Sequence, residues 1–115
     1  MKKIVEQGLL YDFYGELLTE HQREIYEAAV YNDMSLTEIA DENGISKQGV
    51  HDLIKRCTNT LQGYEDRLHM IRRFEAIKSE ALLLNEISTD EEMVIDTELR
   101  NRLKAISGKI IEELT

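Results

Sequence analysis

The chain has 115 residues, no proline and a formal net charge of −9. This length fits one domain with a single compact core, and the lack of proline favours helices over a many-stranded sheet. The charge excludes a protein that is basic throughout, such as a nucleic-acid coat protein, but it leaves room for a local basic surface.

The first three helices are predicted from apolar spacing and from capping residues. Apolar residues recur at helical intervals between positions 9 and 18, which predicts a first helix. Thr19, with Gln22 three residues later, has the pattern of a capping box and predicts the start of a second helix. Ser35 and Glu38 repeat that pattern before a short third helix, Leu36 to Glu42.

A fourth helix is predicted to follow a tight turn at Asn43-Gly44, where glycine can take the left-handed conformation. Ile45 is expected to enter the core behind this turn, and Ser46 is expected to cap the helix. Its apolar stripe comprises Val50, Leu53, Ile54, Cys57 and Leu61. Gly63 interrupts the stripe weakly, so the segment is either one long helix or two helices that meet near Gly63.

The C-terminal part continues the helical pattern. Apolar residues recur from Tyr64 to Leu84, a break with a new cap is predicted at 88–90, and a last helix runs to about Leu114. Its apolar residues have heptad-like spacing, which suits either packing within the chain or pairing with a second copy. We therefore expect a helix-turn-helix domain at 1–62 and a helical extension at 63–115, packed on the core or used for dimerisation, in one structural unit.

Residues 36–56 have the pattern of a helix-turn-helix. Ala40 is small where two helices would cross closely, Gly44 makes the sharp turn, and Val50 begins the buried face of the second helix. The side chains left pointing largely outward are Ser46, Lys47, Gln48, His51, Lys55 and Arg56.

These six residues are the candidate nucleic-acid-binding residues. In DNA-binding proteins with this motif, the second helix enters the major groove near its N-terminus. Lys47, Gln48 and His51 could reach base edges there, and Gln can pair with adenine while Lys donates to guanine. Ser46 suits a phosphate at the helix N-terminus, and Lys55 and Arg56 suit backbone contacts further along.

The stretches 18–25, 35–40, 45–46 and 54–56, together with Val50, resemble region 4 of bacterial sigma factors. With the preceding segment 10–18 and the later Val50-His51-Asp52, they resemble the YlxM family of small bacterial helix-turn-helix proteins. The resemblance implies an all-α fold of the sigma region 4-like, winged-helix-like superfamily, with three or four core helices followed by long C-terminal helices. It also implies a DNA-binding regulatory role and a link, through gene neighbourhood, to the signal recognition particle pathway. Gly49 departs from the alanine usual in such helices.

The charge is unevenly distributed. Residues 1–45 carry a net −7 and residues 79–115 a net −5, whereas residues 46–78 carry seven Lys/Arg and four Asp/Glu, a net +3. The one net-basic segment therefore contains the candidate recognition helix, and this asymmetry would orient it toward an anion. So few cations predict weak DNA binding unless the chain forms a homodimer.

Two functions follow as hypotheses. The first is a DNA-binding regulatory protein, acting as a dimer through its C-terminal helices. The alternative is an adaptor that binds signal recognition particle protein or RNA through the same surface. An enzyme is not expected, since no nucleophile–base arrangement or glycine-rich phosphate loop is present, and we predict no small-molecule substrate.

The cysteine and histidine content predicts no cofactor and no metal. His21, His51 and His69 are far apart in sequence, and Cys57 lies on an apolar stripe. One unpaired cysteine is typical of a reducing compartment, so we expect a cytoplasmic protein. No apolar run approaches the ~18 residues that span a bilayer, and residues 1–8 lack the apolar core of a secretion signal.

Overall fold

The computed structural model describes residues 3–115 and contains no strand within them. Its helices are α1 (Lys3–Tyr14), α2 (Glu20–Val30), α3 (Leu36–Asn43), α4 (Lys47–Leu68), α5 (Met70–Thr89) and α6 (Thr97–Leu114). A short 3-10 turn, Gly15–Leu17, follows α1. The predicted all-α class is confirmed.

The chain divides into two compact units, one ending at His69 and the other comprising residues 70–115. The first contains α1 to α4 and the second contains α5 and α6. Helix α4 continues without a break through Gly63 to Leu68, so the segment is one long helix at that glycine. The interruption comes instead at His69, which has a left-handed φ of 56° and donates its backbone N–H to the Glu65 carbonyl at 2.8 Å.

Both predicted capping boxes are present in the first unit. The Thr19 hydroxyl accepts from the Gln22 N–H at 3.2 Å, and the Gln22 side chain accepts from the Thr19 N–H at 2.9 Å. Ser35 and Glu38 form the same reciprocal pair at the start of α3. Each box satisfies N–H groups that a helix start leaves without partners, and so fixes where the helix begins.

The turn between α3 and α4 has the predicted glycine but a different role for Ile45. Gly44 ends α3 with a left-handed φ of 65°, and its N–H donates to the Ala40 carbonyl. The Ile45 N–H also donates to that carbonyl, at 3.2 Å. The Ile45 side chain is 37% exposed, so the expectation that it enters the core is wrong. The turn is fixed by these backbone hydrogen bonds.

The core beneath the helix-turn-helix joins three helices. Ile25 from α2, Ile39 and Ala40 from α3, and Val50 from α4 form one buried cluster. Ala40 is 6% exposed, as expected for a small residue at the α3–α4 contact. This cluster fixes the inner face of α4, and therefore determines which side chains of α4 face solvent.

The second unit is a pair of helices with a small core. Ile87, Leu99 and Ile106 are its buried residues, with Met93, Leu103 and Ile110 packed against them. The break predicted at 88–90 is confirmed, since α5 ends at Thr89, but the cap predicted there is wrong because α6 starts at Thr97 with Asp96 as its cap. The Asp96 carboxylate accepts from the Leu99 N–H at 2.8 Å, so an acidic side chain stabilises this helix start.

Candidate nucleic-acid interface

The first turn of α4 contains no carboxylate. Ser46 caps the helix by accepting from the Gly49 N–H at 2.9 Å. In α2 and α3 the first turn carries Glu20 and Glu38, whereas α4 begins with Lys47. The partial positive charge at this helix end is therefore supplemented by a lysine, which favours an approaching anion.

All six predicted site residues are exposed on or beside the first three turns of α4. Lys47, Gln48 and His51 line one shallow groove together with Leu36 from α3. His51 also lines the adjoining cleft, together with Lys55. These four side chains of α4 are thus brought onto one face.

Arg56 is placed differently from the other predicted residues. At about 100° per residue, it lies roughly 140° around the helix from His51. It lines neither the groove nor the cleft. A backbone contact from Arg56 would therefore come from the side of α4, away from the face that carries Lys47 and His51.

Asp52 is an acidic residue within this otherwise basic surface. Its Oδ1 accepts a hydrogen bond from Gln48 Nε2 at 3.0 Å and lies 3.6 Å from His51 Nδ1. Asp52 was not among the six site residues predicted from the sequence. The signal that could have identified it is its position four residues after Gln48, because residues at that spacing are neighbours on a helix surface. Its pairing with Gln48 occupies a donor that an adenine edge would require.

Helix α3 adds further negative charge beside α4. Glu38, Asp41 and Glu42 are exposed on it, and Glu38 is held at the Ser35 cap. In a DNA-binding helix-turn-helix the first helix crosses the phosphate backbone, so these carboxylates would oppose close approach. The affinity of this surface therefore depends on the few cations of α4.

The metal-binding residue types within residues 3–115 are not grouped, and the thiol is buried. No group of three His, Cys, Asp or Glu residues is placed to hold a metal ion there. Cys57 is 1% exposed, and burial raises the pKa of its thiol. A buried, protonated thiol is a packing residue rather than a nucleophile. None of the helices described is long and apolar enough to span a membrane.

Comparison with known proteins gives matches over most of the chain. Residues 1–106 match the UPF0122 family model, described as "Putative helix-turn-helix protein, YlxM / p13 like". A UPF0122 protein of Acetivibrio thermocellus is 40% identical over 113 residues, covering 97% of each chain. One from Thermoanaerobacter pseudethanolicus is 41% identical over 106 residues, covering 92% of this chain and 88% of the relative.

Proposed function

This chain belongs to the UPF0122 family of YlxM/p13-like helix-turn-helix proteins, and on that premise we propose that it is a non-catalytic regulatory protein that binds DNA through α4. The supporting observation is the start of α4, where Ser46 caps a helix whose first turn has no carboxylate, with Lys47, Gln48 and His51 exposed on it. Fold alone does not determine function, so the proposal depends on this surface.

The chemistry of the surface favours phosphate contacts. Lys47 and Lys55 supply positive charge on one face of α4, and Arg56 supplies it on the side. Phosphate neutralisation provides most of the affinity for DNA, and non-specific binding alone has a Kd of roughly 0.1 mM to 1 µM. We infer that one copy of this sigma region 4-like helix-turn-helix binds weakly and that two copies are needed for useful affinity.

The second unit supports a homodimer. Leu84, Leu103, Ile106, Ile110 and Ile111 line an apolar groove along α5 and α6, and Ile111 is 58% exposed. Contiguous apolar surface of this kind is typical of an interaction site. A dimer formed here would double the number of phosphate-binding cations.

We propose a cytoplasmic location for this protein, because the unpaired Cys57 stays reduced there.

A salt series with matched variants tests the proposal. Duplexes selected from a random pool are titrated with the protein, and binding is followed by fluorescence anisotropy. Lys47→Gln should weaken binding. It should also make the negative slope of log K against log salt shallower by about 0.9, which corresponds to the loss of one phosphate contact. Lys104→Gln, an exposed lysine on α6, is the control. Absence of binding at low salt, or equal effects of the two variants, would refute the proposal.

The Gln48–Asp52 pair supports a second candidate. Because Asp52 occupies the Gln48 amide donor, this surface is better suited to phosphate contact than to reading adenine. An adaptor that binds the RNA of the signal recognition particle through backbone phosphates would use the same lysines. Parallel titrations with that RNA and with duplex DNA at the same salt concentration separate the candidates, since the nucleic acid that forms the tighter complex is the partner.

A further inference from the structure

A cleft lies between α1 and α4 in the first unit, with the start of α3 at its side. Its volume is about 380 Å³, within the range of ~300–1,000 Å³ found for small-molecule sites. Its polar lining comes from two elements. It comprises Lys3 and Gln7 from α1, and His51, Lys55, Thr58 and Asn59 from α4.

The lining carries positive charge and no carboxylate among the described residues. Lys3 and Lys55 approach from different helices, and neither makes a salt bridge within residues 3–115. One acidic group, Asp52, contacts His51 at the edge. In a chain with a net charge of −9, a concave surface with this lining favours an anionic ligand.

The floor of the cleft is fixed by hydrogen bonds centred on Thr58. Its hydroxyl donates to the Ile54 carbonyl at 2.9 Å, so the Tyr26 hydroxyl, 2.8 Å away, donates to it. Gln7 Nε2 donates to the same oxygen at 3.3 Å. Tyr26 is fully buried. A floor held by three hydrogen bonds is ordered before a ligand arrives, which lowers the entropic cost of binding.

The cleft also has an apolar side, formed by Leu36 and Ile54. A bare phosphate ion would leave this side and most of the volume unfilled. We propose that the cleft binds a mononucleotide, with the phosphate between Lys3 and Lys55 and the base against Leu36 and Ile54. The nucleotide is either a free molecule or the 5′-terminal residue of a nucleic-acid strand, because both present the same phosphate and base.

Amide chemical-shift mapping on the full chain tests this site. The probes are adenosine 5′-monophosphate, adenosine, and a short single-stranded DNA with or without a 5′-phosphate. We expect the monophosphate to shift the amides of Gln7, Leu36 and Thr58 with a Kd of about 0.1–1 mM. Response to the 5′-phosphorylated strand alone would assign the site to a strand end. No response to either phosphate probe, or equal responses with and without phosphate, would overturn the proposal.

Two lysine variants separate this site from the proposed DNA surface. Lys3 lines the cleft but not the recognition groove, whereas Lys47 lines the groove but not the cleft. Lys3→Gln should weaken monophosphate binding about fivefold and leave duplex binding unchanged, and Lys47→Gln should do the reverse. Both side chains are exposed, so neither variant threatens folding. Unchanged monophosphate binding by Lys3→Gln would overturn the cleft proposal, whatever the duplex result.

Discussion

Gln48 and Asp52 are joined across one turn of α4, where Gln48 Nε2 donates to Asp52 Oδ1 at 3.0 Å. The same carboxylate oxygen lies 3.6 Å from His51 Nδ1. One acidic side chain thus contacts two of the three residues predicted to reach base edges. A nucleic acid that docks on α4 must separate these contacts or accept a negative charge beside its phosphates, and either event reduces affinity.

Removing the Asp52 charge should therefore strengthen binding. Asp52→Asn keeps an oxygen that can accept from Gln48 but removes repulsion of the phosphates, so we expect about three- to tenfold tighter binding to duplex DNA at low salt. Anisotropy titrations measure this. Asp66→Asn is the control, because Gln62 and Asp66 form the same pair on α4 at 2.9 Å, about 21 Å along the axis. Equal gains from both variants would mean that only net charge matters.

The Ser46 cap should determine how Gly49→Ala affects stability. A Cβ at position 49 would lie 3.1 Å from Ser46 Oγ, the atom that accepts from the Gly49 N–H. Gly49→Ala should thus gain about 1 kcal/mol of helix propensity and lose a comparable amount by disturbing the cap. Urea unfolding should show little net change in the intact protein but a gain of about 1 kcal/mol in a Ser46→Ala background. Equal gains in both backgrounds would contradict a clash with the cap.

Gly44 and Gly63 should respond oppositely to alanine. Gly44 has a left-handed φ of 65°, so Gly44→Ala should destabilise the first unit by about 1–2 kcal/mol. Gly63 lies within α4, and a Cβ added there would meet no neighbouring atom within 4 Å, so Gly63→Ala should stabilise the helix by about 1 kcal/mol. Urea unfolding followed by circular dichroism measures both. Destabilisation by Gly63→Ala would mean that α4 needs a flexible point there.

Local sequence signals suffice for features that depend on residues close together in the chain. Capping boxes at Thr19 and Ser35 and the turn at Gly44 were predictable because each depends on residues within one turn of the helix. The start of α6 was mispredicted because Ser88 and Thr89 have capping chemistry, yet their hydroxyls donate to the Asn85 carbonyl within α5. A serine or threonine hydroxyl can accept from a backbone N–H at a helix start or donate to a carbonyl within a helix, and tertiary packing determines which bond forms.

The candidate site was predictable only in part for a similar reason. The exposed face of α4 follows from its apolar stripe, which the buried residues Val50, Cys57 and Leu61 confirm. The cleft was not predictable, because Lys3 and Lys55 are distant in sequence and come together only when α1 packs against α4. A sequence pattern within one helix carries no information on which side chains a second helix supplies.

Tyr31 should make stability decline at high pH. Partial desolvation of this half-exposed ring, followed by the hydrogen bond to the Asp12 carboxylate, raises the pKa of Tyr31 from 10.0 to about 12. The unfolded chain then loses this proton near pH 10 and the folded chain near pH 12, so the stabilisation is complete below pH 10 and is lost as the pH rises through 12. Absorbance titration of tyrosinate measures this. Asp12→Asn should lower the pKa of Tyr31, and an unchanged titration curve would contradict the assigned cause.

The Tyr31→Phe variant tests the same linkage through stability. The phenylalanine ring keeps the packing against Tyr11, whose ring centroid lies 5.8 Å away, but removes the titrating hydroxyl. Urea unfolding should show lower stability near pH 8 and a shallower decline above pH 10 than in the intact protein. Part of the decline should remain, because burial also raises the pKa of Tyr11 and Tyr26. A decline as steep as that of the intact protein would exclude Tyr31 as its source.

Dimerisation through the second unit should be sensitive to charge at Ile111. This side chain is 58% exposed and lines the apolar groove with Leu84 and Ile110. Ile111→Glu should leave helix content unchanged but weaken self-association about 100-fold, because a carboxylate buried in an apolar interface has no partner there. Val94→Glu is the control, since Val94 is 72% exposed in the segment between α5 and α6 and lies outside the groove. Sedimentation equilibrium at several concentrations measures the dimer dissociation constant of each variant. A monomeric intact protein, or a dimer that persists in the Ile111→Glu variant, would exclude this groove as the interface.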